Sequence, residues 1–169
     1  MKSEHSMWQL PRYKTDWRDI CAIMPVYLPD GANGCQILYD DGSVEQIAAQ
    51  LSWVLDDLLS YRRSSKAILL QQSRWMMQQL GYRQQRRLPL ILEDGFCLVP
   101  VKARQTVNHN HAVDGYIVLS KVKRTYQYNN DTNVILKNHH NMIIMDSLRT
   151  VRQNLRLAAE LERCLSCIL

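Results

Sequence analysis

From Ile20 to Gly42 the chain reads ICAIMPVYLPDGANGCQILYDDG. Ile20 to Val26 is apolar and carries Pro25. Proline cannot donate to a second neighbour, so this segment reads as a short edge strand. Asp30-Gly31 and Asn33-Gly34 are turn dipeptides. Cys35 to Tyr39 reads as the partner strand, and Asp40-Asp41-Gly42 as the turn after it. Strand, turn, strand, turn within so few residues predicts a β-meander.

The pattern continues outward. Leu88 to Leu92 and Phe96 to Val101 flank Glu93-Asp94-Gly95, a hairpin signature. Gly115 to Val122, Asn133 to Lys137 and Met142 to Met145 are strand-like, with a turn over Asn138 to Asn141. Two segments read as helices. Ser64 to Leu80 has serines to cap its start and Gly81 at its end. Ser147 to about Cys164 has Asp146 or Ser147 as cap. Val44 to Leu59 is ambiguous: Ile47, Leu51, Val54, Leu55 and Leu58 fit helical spacing, and short strands fit as well. Residues 1–18, polar with scattered aromatics and Pro11, read as a loosely packed N-terminal arm. The expected fold is a single α+β domain over 19–165, with an antiparallel meander-rich sheet and two principal helices.

Length and composition agree with one globular domain: 169 residues, 46% apolar and 22% charged. No apolar run approaches a membrane span, and Met1 to Leu10 has no apolar core of a signal peptide. Five cysteines, an odd number at scattered spacing, read as reduced thiols of a cytoplasmic protein. Cys164 and Cys167 form a C-x-x-C without two further ligands nearby, so structural thiols are favoured over metal or redox use.

Few patterns point to catalysis. His109-Asn110-His111 reads as a polar loop, and His139-His140 falls in a turn where the two rings diverge. The acids Asp40, Asp41, Asp56 and Asp57 stand in adjacent pairs, and adjacent side chains point apart. No P-loop, dinucleotide fingerprint, zincin or nucleophile-elbow pattern occurs. The expectation is a protein that is not an enzyme and takes no cofactor or metal.

Charge is more informative. Residues 1–61 hold four Lys/Arg against nine Asp/Glu, residues 62–104 nine against two, and residues 105–169 eight against five. An acidic first third before a basic remainder suggests a polyanionic partner. Arg62, Arg63 and Lys66 gather with two serines at a predicted helix start, a setting suited to phosphate. Arg83, Arg86, Arg87, Lys102 and Arg104 lie in loops around the central hairpin. Lys121, Lys123 and Arg124 follow a strand, with Lys121 and Lys123 expected on one face. On the last helix Arg149, Arg152, Arg156 and Arg163 fall within about 60° of one another, beside the apolar sector. That stripe fits phosphate contact, and it equally fits a surface helix with snorkelling arginines. No helix-turn-helix, zinc finger or RNP pattern is present, so a loop or β-element in the minor groove is the natural mode for DNA.

The order of these segments resembles the ComK family of competence transcription factors. The likeness is carried by Ala22-Ile23-Met24-Pro25 before an Asp-Gly turn, Cys35-Gln36-Ile37, and Leu80-Gly81-Tyr82 with a basic link to Pro89-Leu90-Ile91. It continues through Phe96-Cys97-Leu98-Val99-Pro100, Tyr116-Ile117, and Ser147 to Leu161 with Val151, Arg152, Gln153 and Ala158. The chain departs from the family at Ser60-Tyr61-Arg62-Arg63-Ser64-Ser65, where a glycine-serine-serine-tyrosine region is usual, and at Tyr116, where tryptophan is usual. The resemblance implies an activator that binds A/T-rich boxes of double-stranded DNA, largely through the minor groove, in promoters of DNA-uptake genes. It implies action as a homo-oligomer on paired boxes, alongside RNA polymerase and under a Clp protease adaptor, with no membrane partner. Two other readings stay open: an interaction protein whose basic surface binds another protein or RNA, and a small enzyme with an unrecognised site.

Overall fold

The computed structural model describes residues 11–83, 87–105 and 112–168, and the side chains at 104, 105, 112 and 113 are not described. Of the expected sites, Arg86 and the 109–111 loop lie outside the described residues.

The architecture is α+β. A six-stranded antiparallel sheet has the order β3-β2-β1-β6-β5-β4. Its strands are β1 (Ile20–Tyr27), β2 (Asn33–Tyr39), β3 (Val44–Ile47), β4 (Leu90–Glu93), β5 (Phe96–Gln105) and β6 (Ala112–Val118). Two three-stranded meanders therefore meet at β1 and β6. Their ladder there covers only Ala22 opposite Ile117 and Ile23 opposite Tyr116. A second sheet has the order β7-β8-β9, from β7 (Val122–Tyr128), β8 (Asp131–Leu136) and β9 (Asn141–Ile144). The helices are α1 (Leu51–Tyr61), α2 (Lys66–Gln79) and α3 (Leu148–Ile168).

The meander expected over residues 20–42 is present, with two corrections. β1 is a central strand, not an edge. Its ladder with β6 has ended before Pro25, which is how a proline fits there. Asn33-Gly34 belongs to β2 rather than to the turn. A Cβ at Gly34 would stand 2.7 Å from Leu28 Cδ2 and 3.1 Å from the Ile47 carbonyl oxygen, so close approach explains that glycine. The 88–101 hairpin forms as expected, with Gly95 at φ 80 in its turn. Val44 to Leu59 divides into β3 and α1, so the described residues form three α-helices instead of two.

Side-chain alternation sets the layers. In β5, Phe96 and Leu98 point to one face, Cys97 and Val99 to the other. The first face packs on α1 through Leu51, Val54, Leu55, Leu58 and Leu59. Behind β1, β2 and β6 the opposite face packs on Val134, Leu136, Met142 and Ile144 of the small sheet. Behind β4 and β5 it packs on Leu157, Ala158 and Leu161 of α3 and on Met76 and Met77 of α2. β1 feeds both faces through a bulge between Ile20 and Ala22, which brings Ile20 and Ile23 to the α1 side.

The N-terminal segment also departs from expectation. Tyr13 is fully buried and Trp17 nearly so, and both belong to the core against α1. Trp17 meets Phe96 edge to face at 4.9 Å between centroids. Residues 11–19, two short 3-10 turns, are thus part of the packed fold rather than a loose arm.

Candidate nucleic-acid interface

α3 starts where Ser147 Oγ accepts a hydrogen bond from the Thr150 amide at 3.1 Å. Asp146, the alternative cap, is engaged elsewhere. Val151, Leu157, Ala158 and Leu161 are buried, which fixes the inward side of the helix. At about 100° per residue the midpoint of Arg149, Arg152, Arg156 and Arg163 lies nearly opposite that of the buried set. The arginine stripe is therefore the outward face of α3, not a border of its apolar sector, and all four residues are exposed. The shift arises because Leu157 and Leu161 are both in the core.

β7 lies beside α3. Arg152 Nε donates to Thr125 Oγ1 at 3.2 Å, and its Nη2 donates to the Thr125 carbonyl at 3.1 Å. That pair joins the helix stripe to the exposed cations Lys123 and Arg124. A bulge between Val122 and Arg124 sets the direction of this stretch. Arg149, Arg156 and Lys123 have no hydrogen-bonded or ion-paired partner among the described residues, and Arg163 Nε turns back to the Ala159 carbonyl at 3.4 Å. A row of unneutralised guanidinium groups on a rigid helix can contact phosphates without disturbing the fold.

The other expected residues are dispersed, and several are engaged internally. Arg62 lies 4.1 Å over the Trp17 ring and pairs with Glu93 at 3.4 Å. The hydrogen bond from Arg18, with help from Arg62, holds the Glu93 carboxyl below its usual range. Arg63 is exposed at φ 56 after α1. Lys66 opens α2 behind the Ser65 cap, and its positive charge favours ionisation of the Tyr116 hydroxyl. Burial nevertheless raises the Tyr116 phenol. Lys66 also lines a cavity of about 570 Å³ with Asp56, Asp114 and Leu55, away from the α3 stripe. Arg83 is exposed beyond the end of α2.

Arg87 is the centre of a partly buried knot. Its Nη1 donates to both Asp146 oxygens, at 2.9 and 3.1 Å, and its Nη2 lies 3.2 Å from Asp114. The Asp114 contact misses hydrogen-bond geometry, and Nε has no partner among the described residues. Lys102 points outward, while its amide donates to Asp146 Oδ2 at 2.7 Å. Arg104 stands on β5 opposite Val113. Lys121 lies in a 3-10 turn and pairs with Asp40, so it does not share a face with Lys123 as expected. Arg62, Arg87 and Lys121 are thereby partly neutralised within the fold.

Several acids of the first third are paired within the fold as well. Tyr13 donates its hydroxyl to Asp57, and Tyr39 donates to Glu45 at 2.8 Å. Arg12 bonds Asp41 at 3.0 Å and lies 4.1 Å over the Tyr39 ring.

One feature was missed in the sequence. Tyr126 and Tyr128 line the outer side of the small sheet, with Tyr128 65% exposed. The available signal was Asn129-Asn130, whose positive φ values of 48 and 66 close the β7–β8 hairpin. Cys164 is half-buried and Cys167 exposed, both free, and no group of three or more metal-ligating residues occurs among the described residues. Among those residues no helix is long and apolar enough to cross a membrane. No family model, curated protein or solved structure matches the chain.

Proposed function

We propose that the protein binds double-stranded DNA and activates transcription. The observation that supports DNA contact is the outward arginine face of α3, continued by Lys123 and Arg124 on β7. The finer reading rests on the ComK resemblance: A/T-rich boxes in promoters of competence genes, minor-groove entry, a homo-oligomer on DNA, and RNA polymerase and a Clp adaptor as partners. In this reading the chain performs no catalysis and works in the cytoplasm.

The test is a gel-shift titration across salt concentrations. Arg149→Ala with Arg156→Ala should weaken duplex binding and reduce the salt slope by about two units, one per lost phosphate contact. The fold should be unaffected, because exposed cations contribute little to stability. An unaltered slope overturns the assignment of α3. A/T-rich duplexes should bind far better than G/C-rich ones, and equal binding removes the A/T-box reading.

One observation favours the second reading, a protein-binding module. Trp53, Tyr61, Ile68 and Trp75 are each about half exposed or more on α1 and α2. Large apolar side chains left in water mark contact surfaces. Binding that ignores base composition and survives the arginine substitutions would select this reading.

A further inference from the structure

We propose that the outer face of the β7–β9 sheet is a stacking platform for an unpaired nucleotide strand. This goes beyond the duplex reading and rests on tyrosines that reading does not use, sharing only Lys123 and Arg124 with it. Val134, Leu136, Met142 and Ile144 are buried against the large sheet, so the alternate positions face out. The register sets Arg124 beside Ile135 and Asn141 in one row, and Tyr126 beside Asn133 and Ile143 in the next. Tyr128 begins a third row opposite Asp131.

Each row carries a group suited to bases. Tyr126 and Tyr128 are two residues apart on one side of a strand, about 6.7 Å at the usual rise, so two successive bases can each find a ring. The Arg124 guanidinium lies 5.5 Å from the Tyr126 ring and adds a cationic plane there. Asn141 Nδ2 donates to Asn133 Oδ1 at 3.1 Å and to the Tyr126 hydroxyl at 3.5 Å, which leaves the Asn141 carbonyl oxygen for base edges. Ile143 is 61% exposed and Tyr128 65%, while Tyr126 is half-buried and Asn133 is buried in its row, so the platform is open at its Tyr128 and Ile143 side.

Charge selects the occupant. Arg124 stands beside Tyr126, Lys123 and Lys137 are exposed toward that end of β7 and β8, and Asp131 is the single acid among the described residues of the face. That balance suits a polyanion better than an apolar peptide. A duplex hides its base faces in its own stack, so rings offered this way engage only unpaired bases.

The experiment is fluorescence anisotropy of the full chain with labelled oligothymidylate, labelled oligouridylate and a labelled duplex. Both single strands, or one of them, should bind, and the preference names the strand the face serves. Tyr128→Ala and Tyr126→Leu should each weaken single-strand binding roughly tenfold and leave duplex binding unchanged. Tyr126→Phe and Tyr128→Phe should keep it, since stacking needs the ring and not the hydroxyl. Circular dichroism establishes that each variant is folded. No binding of either oligomer by wild type overturns the proposal, as does binding that the non-aromatic variants retain. Wild type that binds a single strand but no duplex would overturn the α3 reading and leave this one standing.

Discussion

Asp146 accepts from Arg87 and from the Lys102 amide while nearly sealed from solvent, its side chain 4% exposed. Removing it leaves a guanidinium facing only Asp114 and an amide without an acceptor. Asp146→Ala should cost about 3 kcal/mol, toward the low end for breaking a buried pair because Arg87 is partly open to water. Urea denaturation measures this, and a cost near that of a surface pair would show the knot to be dispensable. Tyr13 and Tyr39 give a pH dependence. Burial, reinforced by the bonds to Asp57 and Glu45, raises both phenols. An unfolded tyrosine ionises near pH ~10, so the stability they contribute is complete below that pH. It is lost as pH rises from there toward the folded values. Ultraviolet titration should show these rings ionising only as the protein unfolds, and early ionisation of every tyrosine would refute it. Cys21 and Cys35, pushed up to about 12 by burial, should resist thiol reagents that modify Cys167. At this scale the sequence showed which residues are charged but not how they pair. Arg87 and Asp146 are 59 positions apart and Lys121 and Asp40 81, distances over which no local pattern operates.

Elements were legible where turns and capping residues announce them. Ser65 caps α2, with its Oγ accepting from the Ile68 amide at 3.3 Å, and Ser147 caps α3. β7 was not legible, because Lys123-Arg124-Thr125-Tyr126-Gln127 has no alternating apolar side: an edge strand beside a helix buries little. Its hairpin depends on Asn129 and Asn130 in the left-handed region. Asn130→Gly should hold or raise stability, since glycine is at ease there. Asn130→Val should lower it by about 1–2 kcal/mol, the cost of forcing a β-branched residue to positive φ. Thermal melts of the two variants provide the comparison, and equal melting would place the turn elsewhere. α1 was ambiguous because its apolar spacing begins within β3, and only Ala48, Ala49 and the extended Gln50, at φ -63 and ψ 148, separate the two.

Across the whole molecule the charge division along the chain is reduced by pairing within the fold, although most described acids of the first third stay at the surface. The acids of the first third satisfy buried phenols and neighbouring cations, so they are less a free surface than the sequence suggested. The basic side that remains outward is concentrated on α3 and β7, and that concentration depended on a helix rotation of only part of a turn. Where the two meanders join, the main chain contributes pairs at Ala22 and Ile23 alone, while Ile23, Tyr116, Ile37 and Leu98 share one apolar cluster across the line. Cohesion at that junction is thus carried by oily contacts, which weaken on cooling as hydrogen bonds do not. Near freezing and in mild urea, amide hydrogen exchange should reveal the halves loosening from each other before either unravels, so that the protein fails in the cold by unzipping along one line.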